Sequence, residues 1–252
     1  MKFEKESPDF SRGENVTKSN KLFTIYILDN SIIRFHLLDE NIMYFPLGEN
    51  AFDEFFVNYY QTYVNDQYDI IGKVKKGDIV FDCGAQTGIF SLLAQQQGAF
   101  VYAIEPLNKN LVCLEYQSKR GNSIALVPCV VSDVIGQVPF QVHETLVGGG
   151  RISSDGNELV MSTTIDELSQ RFNLERLDFI KMDIEGSEIE ALIGAEQSIK
   201  KFKPNLAISA YHWETAPRDL RKLIQSFNPD YKIVINEKGP FCELILHADL
   251  ER

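Results

Sequence analysis

Three places in this chain carry residue types at spacings that suit chemistry. Asp183, Glu185 and Glu188 fall within six positions, in Asp-Ile-Glu-Gly-Ser-Glu, directly after the apolar stretch Phe-Ile-Lys-Met at 179–182. Three acids at the carboxyl end of a strand exceed what a scaffold needs, because that edge of an open α/β sheet is where ligands bind. Glu188 has a second reading, since an acid in a first helical turn complements the helix dipole. The second place is the turn Asp82 to Gly88, Asp-Cys-Gly-Ala-Gln-Thr-Gly. Its glycines, Gly84 and Gly88, stand where a side chain would be in the way. Such a strand-to-helix turn brings backbone N–H groups and a helix N-terminus up to a ligand. Asp82 would repel a pyrophosphate but suits a cationic ligand, such as the amino group and sulfonium of S-adenosylmethionine. The same carboxylate could instead tie down the turn's own N–H groups. The third place is Glu105, 23 positions after Asp82 and followed by Pro106. That is close to the spacing at which an acid ending the second strand accepts both hydroxyls of a ribose. The alternative is a helix-capping acid.

The elements that must position these residues alternate strand and helix. Ile79 to Phe81 is short, apolar and rich in β-branched and aromatic residues, as in a buried parallel strand. Ile89, Phe90, Leu92, Leu93 and Ala94 then fit one helix face, and Gly98 supplies a left-handed stop. Phe100 to Ile104 is the second strand. Asn108 is placed as the cap of a helix through Tyr116. Ile124 to Val131 is the third strand, and the turn after it, Ser132-Asp133, is a candidate to hydrogen-bond an adenine amine. Val138 to Val142 is a short strand, and Gly148 to Ser154 reads as a mobile loop in which Arg151 either reaches substrate or is solvated. Thr164 with Glu167, and Ser187 with Glu190, form two capping boxes. Strand four runs from Asp178 to Asp183, and strand five from Leu206 to Tyr211, ending at His212-Trp213. Tyr231 to Ile235 and Cys242 to His247 flank Glu237-Lys238-Gly239-Pro240, a terminal antiparallel hairpin.

With 252 residues, the chain has room for one α/β domain and an N-terminal addition. Its net charge of −11 and pI of about 4.9 argue against a broad grip on nucleic acid or an anionic membrane. No run of about 18 apolar residues marks a membrane span, and Met1 to Asn20 lacks the apolar core of a signal peptide. Cys83, Cys113, Cys129 and Cys242 are widely spaced, which fits buried thiols in a reducing compartment; a cytoplasmic location is expected.

Residues 1–20 show no periodicity and are expected to be flexible. Residues 21–72 read as a cap. Phe23 to Leu28 and Ile32 to Leu38 form a hairpin, and Phe52, Phe55, Phe56, Tyr59, Tyr60 and Tyr63 recur at helical spacing. Residues 73–252 form the main domain.

From about Gly77 to His247 the chain resembles the FkbM family of class I methyltransferases. The resemblance rests on Phe-Asp-Cys-Gly-Ala-Gln-Thr-Gly (81–88), Ile-Glu-Pro (104–106), Thr-Thr-Ile-Asp-Glu-Leu (163–168), Phe-Ile-Lys-Met-Asp-Ile-Glu-Gly-Ser-Glu-Ile-Glu-Ala-Leu-Ile-Gly-Ala (179–195) and Tyr-His (211–212). It implies a Rossmann-like seven-stranded sheet with a terminal antiparallel hairpin, here behind a β-hairpin and helix cap. It also implies S-adenosylmethionine as cofactor and O-methyl transfer to a small hydroxylated acceptor, often a sugar or secondary metabolite.

In that arrangement Asp82, Gly84, Ala85 and Gly88 hold the methionyl part of the cofactor. Glu105 with Pro106 holds the ribose, and Ser132 and Asp133 lie beside the adenine. The methyl group points towards Asp183, Glu185 and His212. A hydroxyl acceptor must lose a proton, and His212 is the first choice of base, because an unperturbed imidazole is largely neutral at pH 7. Asp183 is the alternative base, or it orients the histidine or the cofactor. The same O/O/N set could take a divalent cation, a second reading because no metal-specific spacing is visible. A nicotinamide-dependent oxidoreductase and a non-catalytic cofactor-binding protein are the other classes. The missing Gly-x-Gly-x-x-Gly and the terminal hairpin speak against the first, and the acid cluster speaks against the second.

Overall fold

Apolar residues alternating with polar ones in Phe23–Leu28 and Ile32–Leu37 build an antiparallel hairpin whose register runs from Leu28 opposite Ile32 to Phe23 opposite Leu37. The structure is a computed structural model and describes residues 15–19, 23–28, 31–37, 41–143, 148–238 and 243–250. The hairpin belongs to a four-stranded sheet in chain order: β1 (Asn15–Ser19), β2 (Phe23–Leu28), β3 (Ile32–Leu37) and β4 (Ile42–Pro46). Residues 15–19 therefore form a strand, although residues 1–20 show no sequence periodicity. Pairing with β2 orders that backbone; residues 1–14 and 20 lie outside the described residues.

The aromatic helix is α1 (Ala51–Asn58), and it continues into a π-helical turn at Tyr59–Val64. Phe55 stacks on Phe35 with ring centroids 3.6 Å apart, so the stripe packs mainly on the cap sheet. A short helix, α2 (Ile70–Lys73), leads into the main domain.

That domain is built from β5 (Ile79–Cys83), α3 (Ile89–Gln96), β6 (Phe100–Ile104), α4 (Asn108–Ser118) and β7 (Ile124–Val127). After an excursion through β8 (Val130–Val131), β9 (Gly136–Val142), β10 (Gly150–Ile152), β11 (Glu158–Thr163) and α5 (Ile165–Arg171), it returns with β12 (Phe179–Met182). The helices α6 (Glu188–Ile193) and α7 (Glu196–Phe202), strand β13 (Asn205–Ser209), helix α8 (Ala216–Phe227) and strands β14 (Lys232–Lys238) and β15 (Glu243–Asp249) complete it. The seven-stranded sheet has the order β14-β15-β13-β12-β5-β6-β7. β15 runs antiparallel to both neighbours, and the other neighbouring pairs are parallel.

Alternation along the parallel strands feeds two layers of core. Phe81, Ile180 and Ile208 pack with Leu168, Leu192, Ile199 and Leu220. Val80, Phe179 and Ala207 pack with Phe90, Leu93 and Leu114. Ile89 and Leu92 on α3 extend into the cap's own core around Phe35 and Phe55.

Three local expectations are corrected. The third strand is split into β7 and β8, and β8 joins a separate four-stranded sheet of order β10-β9-β11-β8. The Gly148 to Ser154 stretch is not all loop: Gly150–Ile152 pairs with β9, and residues 144–147 lie outside the described residues. Ser187 makes no side-chain cap bond; at this end Glu188 reaches back to accept the Ile184 N–H at 3.0 Å. The Thr164 cap forms, with its hydroxyl accepting the Glu167 N–H at 3.0 Å. Cys83, Cys113 and Cys129 are buried free thiols; Cys242 lies outside the described residues, as does part of the terminal turn.

Candidate active site

The parallel strands β5, β6 and β12 end side by side, and the loops beyond them open onto a cavity of about 380 Å³. Sheet order sets its two ends. Glu105, Pro106, Leu107 and Val130 line the β6–β7 side, while Asp183, Glu185, Tyr211 and Glu243 line the β12–β13–β15 side. Between them lie Gly84 and Ala85 of the turn after β5. The cap closes the second end with Glu54, Gln61 and Gln67.

Gly84 is fixed by the crossing of two strand ends. Its φ is +75°, and a Cβ there would come within 2.0 Å of the Asp183 carbonyl oxygen. This contact brings the β5 turn and the acid cluster against each other. Gly88, at φ +89°, does not line the cavity; a Cβ there would meet Leu114 Cδ2 at 2.5 Å, so it serves the packing of α3 on α4.

Asp82 does not face the cavity either. It is fully buried, takes the Ser91 hydroxyl at 2.7 Å, and sits 3.1 Å from the Lys181 ammonium. The Lys181 Nζ also donates to the Gly84 carbonyl at 2.7 Å and the Cys83 carbonyl at 3.3 Å. Burial alone would lower the Lys181 pKa, but the Asp82 and Asp183 charges raise it above the usual lysine value, so it stays charged. The acid of the glycine turn is therefore the counter-ion of a buried lysine, and the expected contact of Asp82 with a cationic ligand is corrected.

Glu105 lies at the cavity with its helix-capping role engaged. Oε1 accepts the Leu107 N–H at 2.9 Å, which opens α4, and the Asn110 side-chain amide at 3.1 Å. Asn108 is accordingly the first helical residue and not the cap. Oε2 accepts the Gln86 N–H at 3.1 Å, from a residue held at φ +51°. Burial pushes the Glu105 carboxyl up to about 7 despite these three donors.

Ser132 and Asp133 are not brought to the cavity. The Ser132 hydroxyl is 2.8 Å from that of Ser162 and accepts the Val134 N–H at 3.1 Å, so it closes a turn; Asp133 is exposed. Apolar Leu107, Val130 and Ile152 line this end in their place.

At the other end Asp183 is surrounded by donors. Tyr68 gives its hydroxyl to Oδ2 at 3.0 Å and Tyr211 gives its own to Oδ1 at 3.3 Å. Burial alone would raise the Asp183 carboxyl, but Lys181 and His212 hold it below the ordinary aspartate range. Glu185, at φ +56°, is half-exposed and turned into the cavity; burial first, then the Asp183 charge, push its carboxyl up to about 7.

The His212 side chain is 8 % exposed and stands behind this wall, not among the cavity's lining residues. Burial would lower its pKa, but the carboxylates of Glu188, Asp183 and Glu185 raise it to about 9. It is an imidazolium at pH 7, which corrects the expectation of a neutral imidazole base.

Sequence reasoning missed Tyr68, Gln61, Gln67 and Glu243, which reach the site from the cap and the last strand. It also assigned no role to Lys181. The signal for that residue was present: a lone charge inside Phe-Ile-Lys-Met, a strand buried on both faces, requires a buried counter-charge.

Among the described residues no helix is long and apolar enough to cross a membrane. Residues 82–232 match the Methyltransferase FkbM domain family. Hexuronic acid methyltransferase AglP of Haloferax volcanii is 23 % identical over 157 residues, 62 % of this chain and 64 % of that protein. Methyltransferase sdnD of Sordaria araneosa is 23 % identical over 214 residues, 68 % of this chain and 79 % of that protein. The crystal structure of an FkbM methyltransferase from Methylobacillus flagellatus is similar with a TM-score of 0.56 and 31 % identity, covering 68 % of this chain and 43 % of that one. The chain thus spans under two thirds of AglP and under half of the crystallised protein. The matched stretch covers more than half of the 252 residues, contains the glycine turn, Glu105 and the acid cluster, and coincides with the central sheet up to the start of β14: the chain belongs to the FkbM methyltransferase domain family.

Proposed function

We propose that this protein transfers a methyl group from S-adenosylmethionine to a hydroxyl of a small polyhydroxylated acceptor, a sugar or a secondary metabolite. The observation that carries the reading is one continuous cavity along the carboxyl edge of the sheet, with the buried Glu105 carboxylate at one end and the acids Asp183 and Glu185 at the other. The names of AglP and sdnD support methyl transfer, and that of AglP supports a sugar acceptor.

In this reading Glu105 would accept from the ribose with the acceptor capacity its three protein donors leave, and Leu107 and Val130 would face the adenine. The methionyl part follows Gly84 and Ala85. The acceptor enters between the cap and the acid cluster, among Gln61, Gln67 and Glu243. A bound cofactor would supply the methyl group, and the Glu185 carboxylate would take the proton that the acceptor oxygen loses as it gains the methyl and the C–S bond breaks. Alignment of donor and acceptor supplies about 7–11 kcal/mol of the barrier reduction. Lys181 stabilises the turn under the cofactor, and Tyr68 and Tyr211 hold Asp183 in one orientation beside the reacting atoms.

The test is calorimetric titration with S-adenosylhomocysteine, with NADH as comparator. Binding of the first and not the second is expected, and it should depend on pH. Diol donors favour the ionised form of Glu105, whose pKa is about 7. Affinity therefore rises as pH increases through that value, and it falls by up to about tenfold between pH 8 and pH 6. Glu105→Gln should bind weakly and flatten the profile. A folded protein that ignores S-adenosylhomocysteine at pH 8 would sink the reading.

A further inference from the structure

Gln61 and Gln67 line the acceptor end of the cavity from the cap, together with Glu243, the first residue of β15. Both glutamines are buried, at 4 % and 2 % exposure. Gln61 belongs to the π-helical turn Tyr59–Val64, whose two buried residues, Gln61 and Thr62, both line the cavity. Such turns are rare and occur frequently at functional sites. The two side-chain amides lie near enough to the Glu243 carboxylate to lower its pKa, yet neither Gln61 Nε2 nor Gln67 Oε1 completes a hydrogen bond. A buried donor and a buried acceptor each cost free energy until a partner meets them.

The cations near this end are engaged elsewhere. Lys181 pairs with Asp82 at 3.1 Å, and His212 stands behind the wall against Glu188, Asp183 and Glu185. Arg151 lines the cavity from β10, whose partner β9 packs through Phe140 on Leu107 and Val130 at the donor end. Among the described residues no lysine or arginine pairs with Glu243. Burial, with the Asp183 charge, leaves its carboxyl raised despite the two amides and His212.

We propose that Glu243 and Gln67 Oε1 bind an ammonium group of the acceptor, which is therefore an amino polyol such as an amino sugar. The inference rests on the methyl-transfer reading above and narrows it. An ammonium carries three donors for a carboxylate and an amide oxygen, and Gln61 Nε2 can donate to a neighbouring hydroxyl oxygen of the same molecule. A carboxylated acceptor would instead set a like charge against Glu243, Asp183 and Glu185. A nitrogen held protonated by Glu243 has no lone pair for the methyl carbon, so transfer stays on oxygen.

The probes are glucosamine, glucose and glucuronic acid, titrated calorimetrically at pH 7 into protein saturated with S-adenosylhomocysteine; the amine of the first is largely protonated there. Glucosamine should bind at least about tenfold more tightly than glucose, and glucuronic acid more weakly than either. Glu243→Gln should bring glucosamine down to the affinity of glucose, whereas Glu175→Gln, an exposed acid elsewhere, should match the wild type. Circular dichroism checks that the variants are folded, and the comparison of the three sugars on the wild type needs no variant. Titration with S-adenosylhomocysteine alone decides the methyl-transfer reading: a folded protein that ignores it loses that reading and the amine assignment together. In a protein that binds it, four results would each overturn the amine assignment by itself. These are equal affinity for glucosamine and glucose, a preference for glucuronic acid, no measurable binding of glucosamine, or an undiminished preference in folded Glu243→Gln.

Discussion

Replacing Lys181 with methionine will destabilise the fold by about 3–5 kcal/mol. The substitution keeps the length of the side chain and its apolar contacts, so little of the loss comes from packing. What it removes is the charge 3.1 Å from Asp82, a residue with no exposure and one other side-chain donor, Ser91. A carboxylate left in that position cannot be hydrated, and its remaining interactions do not offset the desolvation. Chemical denaturation of the purified variant measures the effect. The double substitution Lys181→Met with Asp82→Asn removes the stranded charge and should recover much of the loss. A single variant within about 1 kcal/mol of the wild type, on the scale of an exposed ion pair, would show that the pair contributes no more than a surface one.

Glu185→Gln will lower turnover by about 10²–10⁴-fold for an acceptor that the wild type methylates, while leaving S-adenosylhomocysteine affinity unchanged. Glu185 lines the acceptor end of the cavity and is half-exposed, so the change is nearly isosteric at a place where the fold has little to lose. An amide there can still hydrogen-bond the acceptor hydroxyl but cannot take its proton. Single-turnover methylation with radiolabelled cofactor separates the chemical step from binding. Turnover within about twofold of the wild type would remove Glu185 as the proton acceptor and leave alignment as the protein's main contribution.

Much of the central sheet was legible because its signals are local. The apolar run at Ile79, the glycines after it, and Glu105 at its spacing each follow from what one strand-to-helix turn needs. The final hairpin follows from two β-rich runs around Gly-Pro. What the sequence concealed depended on partners far along the chain. Asp82 looks like a ligand-facing acid until Lys181, 99 positions later, is seen paired with it across β5 and β12. His212 looks like a neutral base until three carboxylates are placed around its ring. Ser132 looks available until Ser162 from β11 takes its hydroxyl. The strand β8 escaped because its two residues, Val130 and Val131, read as the tail of β7; only their pairing with Ser162 and Thr163 separates them.

The family match covers the cavity's walls unequally. The stretch that matches the family, 82–232, contains Glu105, Lys181, Asp183 and Glu185. It omits Glu54, Gln61, Gln67 and Tyr68 on the cap side, and Glu243 on β15. Under the proposed reading, the match covers the donor half and the acids at which the proton would leave, while the cap-side wall that would meet the acceptor lies outside it.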